Sequence, residues 1–290
     1  MRILVTGGTG FIGAHVLSEL EKNEVLCIVR SREGLTMPAH VRLHEADLQN
    51  VESWKTAVTN FKPDACIHLA WKGLPDYSFE MCRRNLDLSL DLISILHGIG
   101  LAKFVGIGSC WEYGKLTGQI TEGMQPDAPS LFGAVKNAIN SIGQSTSNNG
   151  EMKFHWGRIS FCFGPGQRPT SLIPMVFRTL QQNKIPNIKA PNILQDFIYV
   201  TDVARAITAI CTEDVESSVF NIGSGVPVRV GAVANMVARE CQRSELFDEH
   251  GDAGGAWADI TRLSSESTWR PLVSITEGVE RTIEFLGRQV

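Results

Sequence analysis

Arg2-Ile3-Leu4-Val5-Thr6-Gly7-Gly8-Thr9-Gly10-Phe11-Ile12-Gly13 opens the chain, and its reading decides the fold. An apolar run of strand length enters glycines at positions 7, 10 and 13, and a helix pattern follows. In that context the Gly-x-x-Gly-x-x-Gly spacing cradles a dinucleotide pyrophosphate. Gly7 permits a sharp turn, Gly10 lets backbone N–H groups approach the phosphates, and Gly13 lets the helix sit close on the strand. The helix N-terminus then faces the negative charge. An ordinary tight turn with no ligand is the competing explanation, and the strand before and helix after weigh against it. Thr9, Phe11 and Ile12 join the three glycines as candidate cofactor contacts.

The bulk properties narrow the classes. A chain of 290 residues, 43% hydrophobic and 20% charged, has room for one large core with a smaller lobe. Its net charge of −4 offers no basic field for nucleic acid. No stretch is apolar for long enough to span a bilayer, and Met1 leads straight into the first strand, so neither a membrane nor a signal peptide is expected. Seven scattered cysteines, none in a Cys-x-x-Cys pair, read as reduced, buried residues of a cytoplasmic protein. His40 and His44 are four apart, but in a strand-like run without further ligands, so no metal site is expected.

Strand and helix alternate through the first half. Strands read at 3–6, 25–29, 41–44, 65–70 and 104–108, with amphipathic segments near 11–22, 51–60 and 79–97. A helix near 131–148 and a strand over 154–161 follow. This alternation predicts an α/β fold, a Rossmann-like doubly wound parallel sheet. After Gly164 prolines cluster at 165, 169, 174, 186 and 191, which marks a smaller lobe. Residues 1–163 form the expected nucleotide-binding domain, with strands returning near 196–222; residues 164–195 and 223–290 form the substrate lobe.

The end of the second strand selects the nicotinamide cofactor. NAD sites place Asp or Glu there for the free ribose hydroxyl. This chain has Arg30-Ser31-Arg32, two guanidiniums and a hydroxyl that suit a 2′-phosphate, although solvated surface arginines and the nearby Glu33 argue the other way. The expectation is NADP(H). Asp47 and Leu48, just after the third strand, are placed for the adenine.

With Asp47-Leu48, His68-Leu69-Ala70, Asn85, Gly108-Ser109, Tyr113-Gly114, Lys136, Arg158, Gly164-Pro165-Gly166-Gln167, Asp196-Phe197-Ile198-Tyr199-Val200, Asn221-Ile222-Gly223 and Trp269-Arg270-Pro271, the chain resembles the extended short-chain dehydrogenases/reductases that modify nucleotide sugars. The resemblance runs over nearly the whole chain. It implies cofactor contacts at Leu69, Ala70, Lys136 and Ile159, a nucleotide-diphosphate sugar substrate, and a homodimer through helices near 79–97 and 131–148.

Enzymes of this family use Ser or Thr, Tyr and Lys. Residues four apart on a helix share a face, so the ammonium sits beside the phenol and lowers its pKa. Here Ser109 and Lys136 are present, but the segment reads Phe132-Gly133-Ala134-Val135-Lys136, with Phe at the Tyr position. Three readings stay open: an engineered Tyr→Phe form, a natural enzyme with another proton donor such as Tyr113, Tyr77 or water, and a natural cofactor-binding sensor. Retention of Ser109 and Lys136 favours the first.

Family dehydratases carry an Asp-Glu pair just after the active-site Ser/Thr; this chain has Cys110 and Trp111. Epimerase-reductases of the family pair a Cys with a His; Trp111 and Ser171 stand near those places. Redox-neutral 4-epimerases retain NAD, which Arg30 disfavours, and their sugar-contacting Asn is Phe161 here. The resemblance therefore implies an NADPH-dependent 4-ketoreductase of a nucleotide-linked 4-keto-6-deoxyhexose, with a nucleotide-sugar 4-epimerase as the alternative. Candidate substrate contacts are Trp71, Lys72, Tyr77, Trp111, Glu112 and Phe161, with Arg168, Arg178 and Arg262 for the diphosphate. The family often has Arg before Asp196; Gln195 stands there.

Overall fold

A computed structural model describes residues 1–115, 117–148, 152–216, 218–248 and 254–288. Its first part runs β1 (Arg2–Thr6), α1 (Phe11–Glu19), β2 (Glu24–Val29), β3 (Val41–Glu45), α2 (Lys55–Phe61), β4 (Ala65–His68), α3 (Phe79–Gly98), β5 (Lys103–Ser109), β6 (Gly118–Ile120) and α4 (Leu131–Asn148). It continues with β7 (Lys153–Ile159), β8 (Phe161–Phe163), α5 (Leu172–Gln181), β9 (Leu194–Tyr199), α6 (Val200–Thr212), β10 (Val219–Ile222), β11 (Pro227–Arg229), α7 (Val230–Glu240), β12 (Gly255–Ala258), α8 (Thr261–Glu266) and α9 (Ile275–Gly287).

Seven parallel strands form the main sheet in the order β10-β7-β5-β4-β1-β2-β3. This is the expected Rossmann-like sheet. Its inner strands read as apolar runs because both faces are covered: Val25 to Val29 of β2 are all buried, whereas edge strand β3 carries Arg42, His44 and Glu45 and is only partly buried. Val16 and Leu17 of α1 and Ile207 of α6 pack on one face. Trp54, Leu92 and Leu96 of the α2 and α3 region and Ile139 of α4 pack on the other. The direction of strand succession reverses between β1 and β4. That reversal opens a crevice at the C-terminal edge, where such sheets bind ligands.

A second, five-stranded sheet, β11-β9-β12-β6 with β8 on β9, builds the lobe with α5, α7 and α9. The sequence reading differs here. Of the two strands expected to return to the main sheet, β10 does so beside β7, whereas β9 pairs with β8, β11 and β12. The buried Asp196 carboxylate ties β9 in place, accepting bonds from the N–H groups of Ser224, Gly225 and Ala258 at 2.7, 3.1 and 3.0 Å. The strand expected over 154–161 breaks at Ser160 into β7 and β8, and the one expected over 65–70 ends at His68. The expected helix near 51–60 divides into a 3-10 turn, Val51–Ser53, and α2.

His40 and His44 serve the fold: their Nε2 atoms pair with the carbonyls of Leu17 and Ser53 at 2.9 and 2.8 Å. All seven cysteines are free. Among the described residues no metal-binding cluster occurs, and no helix is long and apolar enough to cross a membrane.

Candidate active site

The crevice holds a cleft of about 540 Å³, within the ~300–1,000 Å³ of small-molecule sites. Gly7, Thr9, Gly10, Phe11, Ile12 and Gly13 form its floor. Gly7 has φ +75°, and a Cβ there would lie 2.6 Å from the Ala70 nitrogen. A Cβ on Gly13 would lie 2.1 Å from the Gly7 carbonyl oxygen. Gly10 is the N-cap of α1, without a side-chain cap, and the first turn has no acidic residue. Such an end leaves N–H groups for an anion. The cradle fits a dinucleotide pyrophosphate.

Arg30, Asp47, Leu48, Leu69, Ala70 and Ile159 also line the cleft. Ser31 and Arg32 do not line it: the Ser31 hydroxyl accepts from the Glu33 N–H, and the Arg32 guanidinium donates to the Leu43 carbonyl at 2.6 Å, turning across β3. Trp71 and Lys72, expected on the substrate side, lie on this cofactor side. Lys72 Nζ is 2.7 Å from Gln49 Oε1 and 3.9 Å from Asp47 Oδ2.

A second cavity, about 530 Å³, opens from the same edge toward the lobe. Ser109, Phe132, Cys162, Gln167, Arg168 and Ser171 line both spaces, so the two meet there. Tyr77, Trp111, Phe161 and Gln195 wall the second cavity. Behind Trp111 and Phe161 lies a further, mostly apolar space of about 600 Å³, bounded on the far side by Trp257.

Phe132 stands at the centre of an aromatic cluster. Its ring is 5.0 Å from Trp71, 5.2 Å from Tyr77 and 5.9 Å from Trp111, each edge-on. One turn on, Lys136 Nζ donates to the Ile107 carbonyl at 2.6 Å and sits 4.2 Å over the Trp71 ring. Withdrawal from water pulls its pKa down to about 8, with Glu112 partly opposing. His68 bridges Thr6 and Ser89 with its two ring nitrogens at 2.7 and 3.1 Å. Burial and the nearby Lys136 hold His68 near a pKa of about 3, so it is neutral at physiological pH.

Three expected substrate contacts lie elsewhere. Glu112 is fully buried behind Ser109, its carboxylate 2.8 Å from Arg158 Nε and 2.8 Å from the Ser109 N–H it accepts from, with Trp156 Nε1 also donating. Burial lifts its pKa against the pull of Arg158. A charge at this depth needs such partners, so Glu112 neither meets substrate nor takes solvent; it positions Ser109. Arg178 is exposed on α5 and lines none of the three spaces. Arg262 pairs with Glu122 at 3.6 Å and donates to the Val219 carbonyl, away from the cavities. Arg168 alone of the three arginines reaches the junction.

The sequence reading left out Gln167 and Cys162 at that junction. Gln167 Nε2 donates to the Cys162 carbonyl at 2.9 Å, and its buried Oε1 has no partner among the described residues. The Gly164-Pro165-Gly166-Gln167 run was the available signal. Cys110, expected as a small buried residue, is half-buried and borders the lobe cavity and the apolar space behind it, its thiol pushed up by desolvation to about 12.

Comparison with known proteins agrees with this geometry. A dTDP-L-rhamnose 4-epimerase of Burkholderia thailandensis is 25% identical, over 100% of this chain and 96% of its own. A dTDP-D-glucose 4,6-dehydratase of Homo sapiens is 23% identical, over 98% and 89%. The solved structure of MoeE5 in complex with UDP-glucose and NAD is 26% identical with a TM-score of 0.85, covering 100% of this chain and 99% of that one. The pattern defining one family matches residues 3–223, from the strand before the glycine turn to the Asn221-Ile222-Gly223 end of the main sheet, and by that span the chain belongs to the NAD dependent epimerase/dehydratase family.

Proposed function

We propose that this protein acts on C4 of a nucleotide-linked hexose as a 4-epimerase with a retained nicotinamide dinucleotide. One observation carries the reading: the glycine-floored cleft and the lobe cavity meet at Ser109 and Phe132, with Lys136 on the cofactor side. The bound dinucleotide supplies an acceptor and donor of hydride at that junction. The Gly7–Gly13 turn and the α1 N-terminus hold its pyrophosphate, Lys136 holds the nicotinamide ribose, and Ser109 donates a hydrogen bond to the C4 oxygen. Arg168 pairs with the sugar diphosphate.

Elimination chemistry is disfavoured because Cys110 and Trp111 provide no acid and base beside Ser109. The relatives' names and the bound UDP-glucose and NAD of MoeE5 support a nucleotide sugar and a C4 reaction. Epimerisation also requires the hexose to present both faces, and a wall of flat aromatic rings gives few hydrogen bonds to forbid rotation.

The NADPH-dependent 4-ketoreductase of the sequence reading is the second reading, favoured by Arg30 in the cleft wall just after β2, where NAD sites place Asp or Glu. Incubation with UDP- and dTDP-linked hexoses, followed by NMR, separates the two. C4 epimers without net change in nicotinamide absorbance support the epimerase. Consumption of NADPH with a 4-keto sugar, and tighter binding of NADP(H) than NAD(H), support the reductase.

A homodimer is part of the same proposal. The α3 and α4 helices pack side by side and leave Phe79 and Ile142 72% and 42% exposed, apolar side chains that a second copy would cover. Sedimentation at twice the monomer mass is the expected result.

A further inference from the structure

We propose that Tyr77 supplies the phenol that takes and returns the proton of the C4 hydroxyl. The inference rests on the C4 reading above and fills the gap left by Phe132.

Three tyrosines occur in the chain. Tyr113 is committed to the fold: its hydroxyl donates to Asn221 Oδ1 at 2.7 Å, its ring lies 4.4 Å from the Arg158 guanidinium, and it is buried. Tyr199 is buried in the lobe core against Phe163. Tyr77 is half-buried and lines the lobe cavity together with Ser109 and Phe132. Among the described residues its hydroxyl has no hydrogen-bond partner. With its ring packed on Phe132 and Trp111 and bordering the lobe cavity, Tyr77 is, among the described residues, the phenol left uncommitted beside the junction.

The backbone that carries it is fixed from both sides. Asn85 of α3 is buried; its carboxamide accepts from the Lys72 N–H at 2.7 Å and donates to the Lys72 carbonyl at 3.0 Å. At the other end Ser78 caps α3 by accepting from the Met81 N–H, and the Cys82 thiol donates to the Tyr77 carbonyl. The loop from β4 to α3 is thus anchored before and after the tyrosine. Phe132 keeps the ring against which Tyr77 packs, with ring centroids 5.2 Å apart.

The proton and electron balance is simple. The C4 hydroxyl proton passes to the Tyr77 phenolate as the C4–H bond breaks and its hydrogen leaves with both electrons for the nicotinamide ring; the C–O bond becomes C=O. On return, that hydrogen is delivered to the opposite face of C4, and the Tyr77 phenol gives its proton to the forming alkoxide.

Four forms of the chain test this: native, Tyr77→Phe, Phe132→Tyr and the double variant. Turnover of UDP- and dTDP-hexoses is followed by NMR, and NAD, NADP and nucleotide-sugar affinities by calorimetry. Tyr77→Phe is expected to lower kcat by about 10²–10⁴-fold with no measurable change in either affinity, and Phe132→Tyr in the same chain to restore turnover by returning a phenol to the cluster. Full activity in Tyr77→Phe, or a loss that accompanies lost affinity, overturns the proposal. So does an inert native chain whose Phe132→Tyr variant turns over, an outcome that leaves the C4 reading standing. Inertness of both native and Phe132→Tyr chains, with affinities intact, overturns the C4 reading and Tyr77 with it.

Discussion

The two halves of the site are built differently. The cofactor cleft is floored by main chain: the Gly7–Gly13 turn and the residues after β4, all at the edge of one parallel sheet. The lobe cavity is walled by side chains, Tyr77, Trp111, Phe132, Phe161 and Arg168, drawn from segments remote in sequence. The first shape follows from local spacing, since a glycine pattern between a strand and a helix has few ways to fold. The second exists only after the lobe has packed. Cofactor chemistry is therefore constrained by the backbone, and substrate chemistry by replaceable side chains.

The largest expected effect comes from the group behind both halves. Glu112→Gln places an amide donor toward Ser109 N–H, Trp156 Nε1 and Arg158 Nε, all donors, and leaves the Arg158 charge buried and unpaired. Breaking such a pair costs about 3–5 kcal/mol. A fall in Tm of roughly 6 °C or more, read by scanning calorimetry, is expected; an unchanged Tm would mean the pair is not what holds the end of β5.

Gly13→Ala discriminates between the halves. Its Cβ would press on the Gly7 carbonyl and on Gly8 Cα, both main chain with little room to yield. Overpacking of about 1–3 kcal/mol, borne by the cleft floor, corresponds to roughly 10–100-fold weaker dinucleotide binding. Nucleotide-sugar binding should change far less. Equal losses for both ligands would break the distinction drawn above.

Arg168→Ala acts in the opposite sense. A charge-assisted bond to the diphosphate is worth about 1.5–3 kcal/mol, so nucleotide-sugar affinity should fall about tenfold or more. Calorimetry with the dinucleotide is the control, since Arg168 borders that space as well.

The smallest effect is a pH signature at Lys136. Its folded pKa of about 8 lies below the ordinary 10.5. Raising pH through about 8 discharges the ammonium, so dinucleotide affinity and turnover should decline. Between about 8 and 10.5 the unfolded chain holds the extra proton, so this lysine's contribution to stability rises with pH. Lys136→Met should remove both trends in binding and melting titrations. Their persistence would place the titration on another group.

Much of the main sheet was legible because inner strands such as β1, β2 and β4 carry unbroken apolar runs, and the cofactor cleft because Gly7, Gly10 and Gly13 stand between a strand and a helix. The errors share a cause. Glu112, Arg32 and Arg262 are charged residues near the site in sequence, yet each is claimed by a tertiary partner: Arg158, the Leu43 carbonyl and Glu122. The sheet assignment of β9 failed for a similar reason, because the bonds of Asp196 to Ser224, Gly225 and Ala258 depend on chain 28 to 62 residues away. Tyr77 was visible as a candidate, but its freedom emerged only when Tyr113 and Tyr199 were found buried and engaged.

The central claim is C4 chemistry at the junction of cleft and cavity, and isotopic labelling addresses it most directly. The native chain is incubated with UDP- and dTDP-hexoses carrying deuterium at C4, without added cofactor beyond what it retains, and the products are read by NMR and mass spectrometry. The account predicts C4 epimers that keep the deuterium, because the hydrogen removed from one face is the hydrogen returned to the other. Epimers that have exchanged the label with water, or labelled sugars recovered unchanged from a chain that binds both ligands, would contradict it.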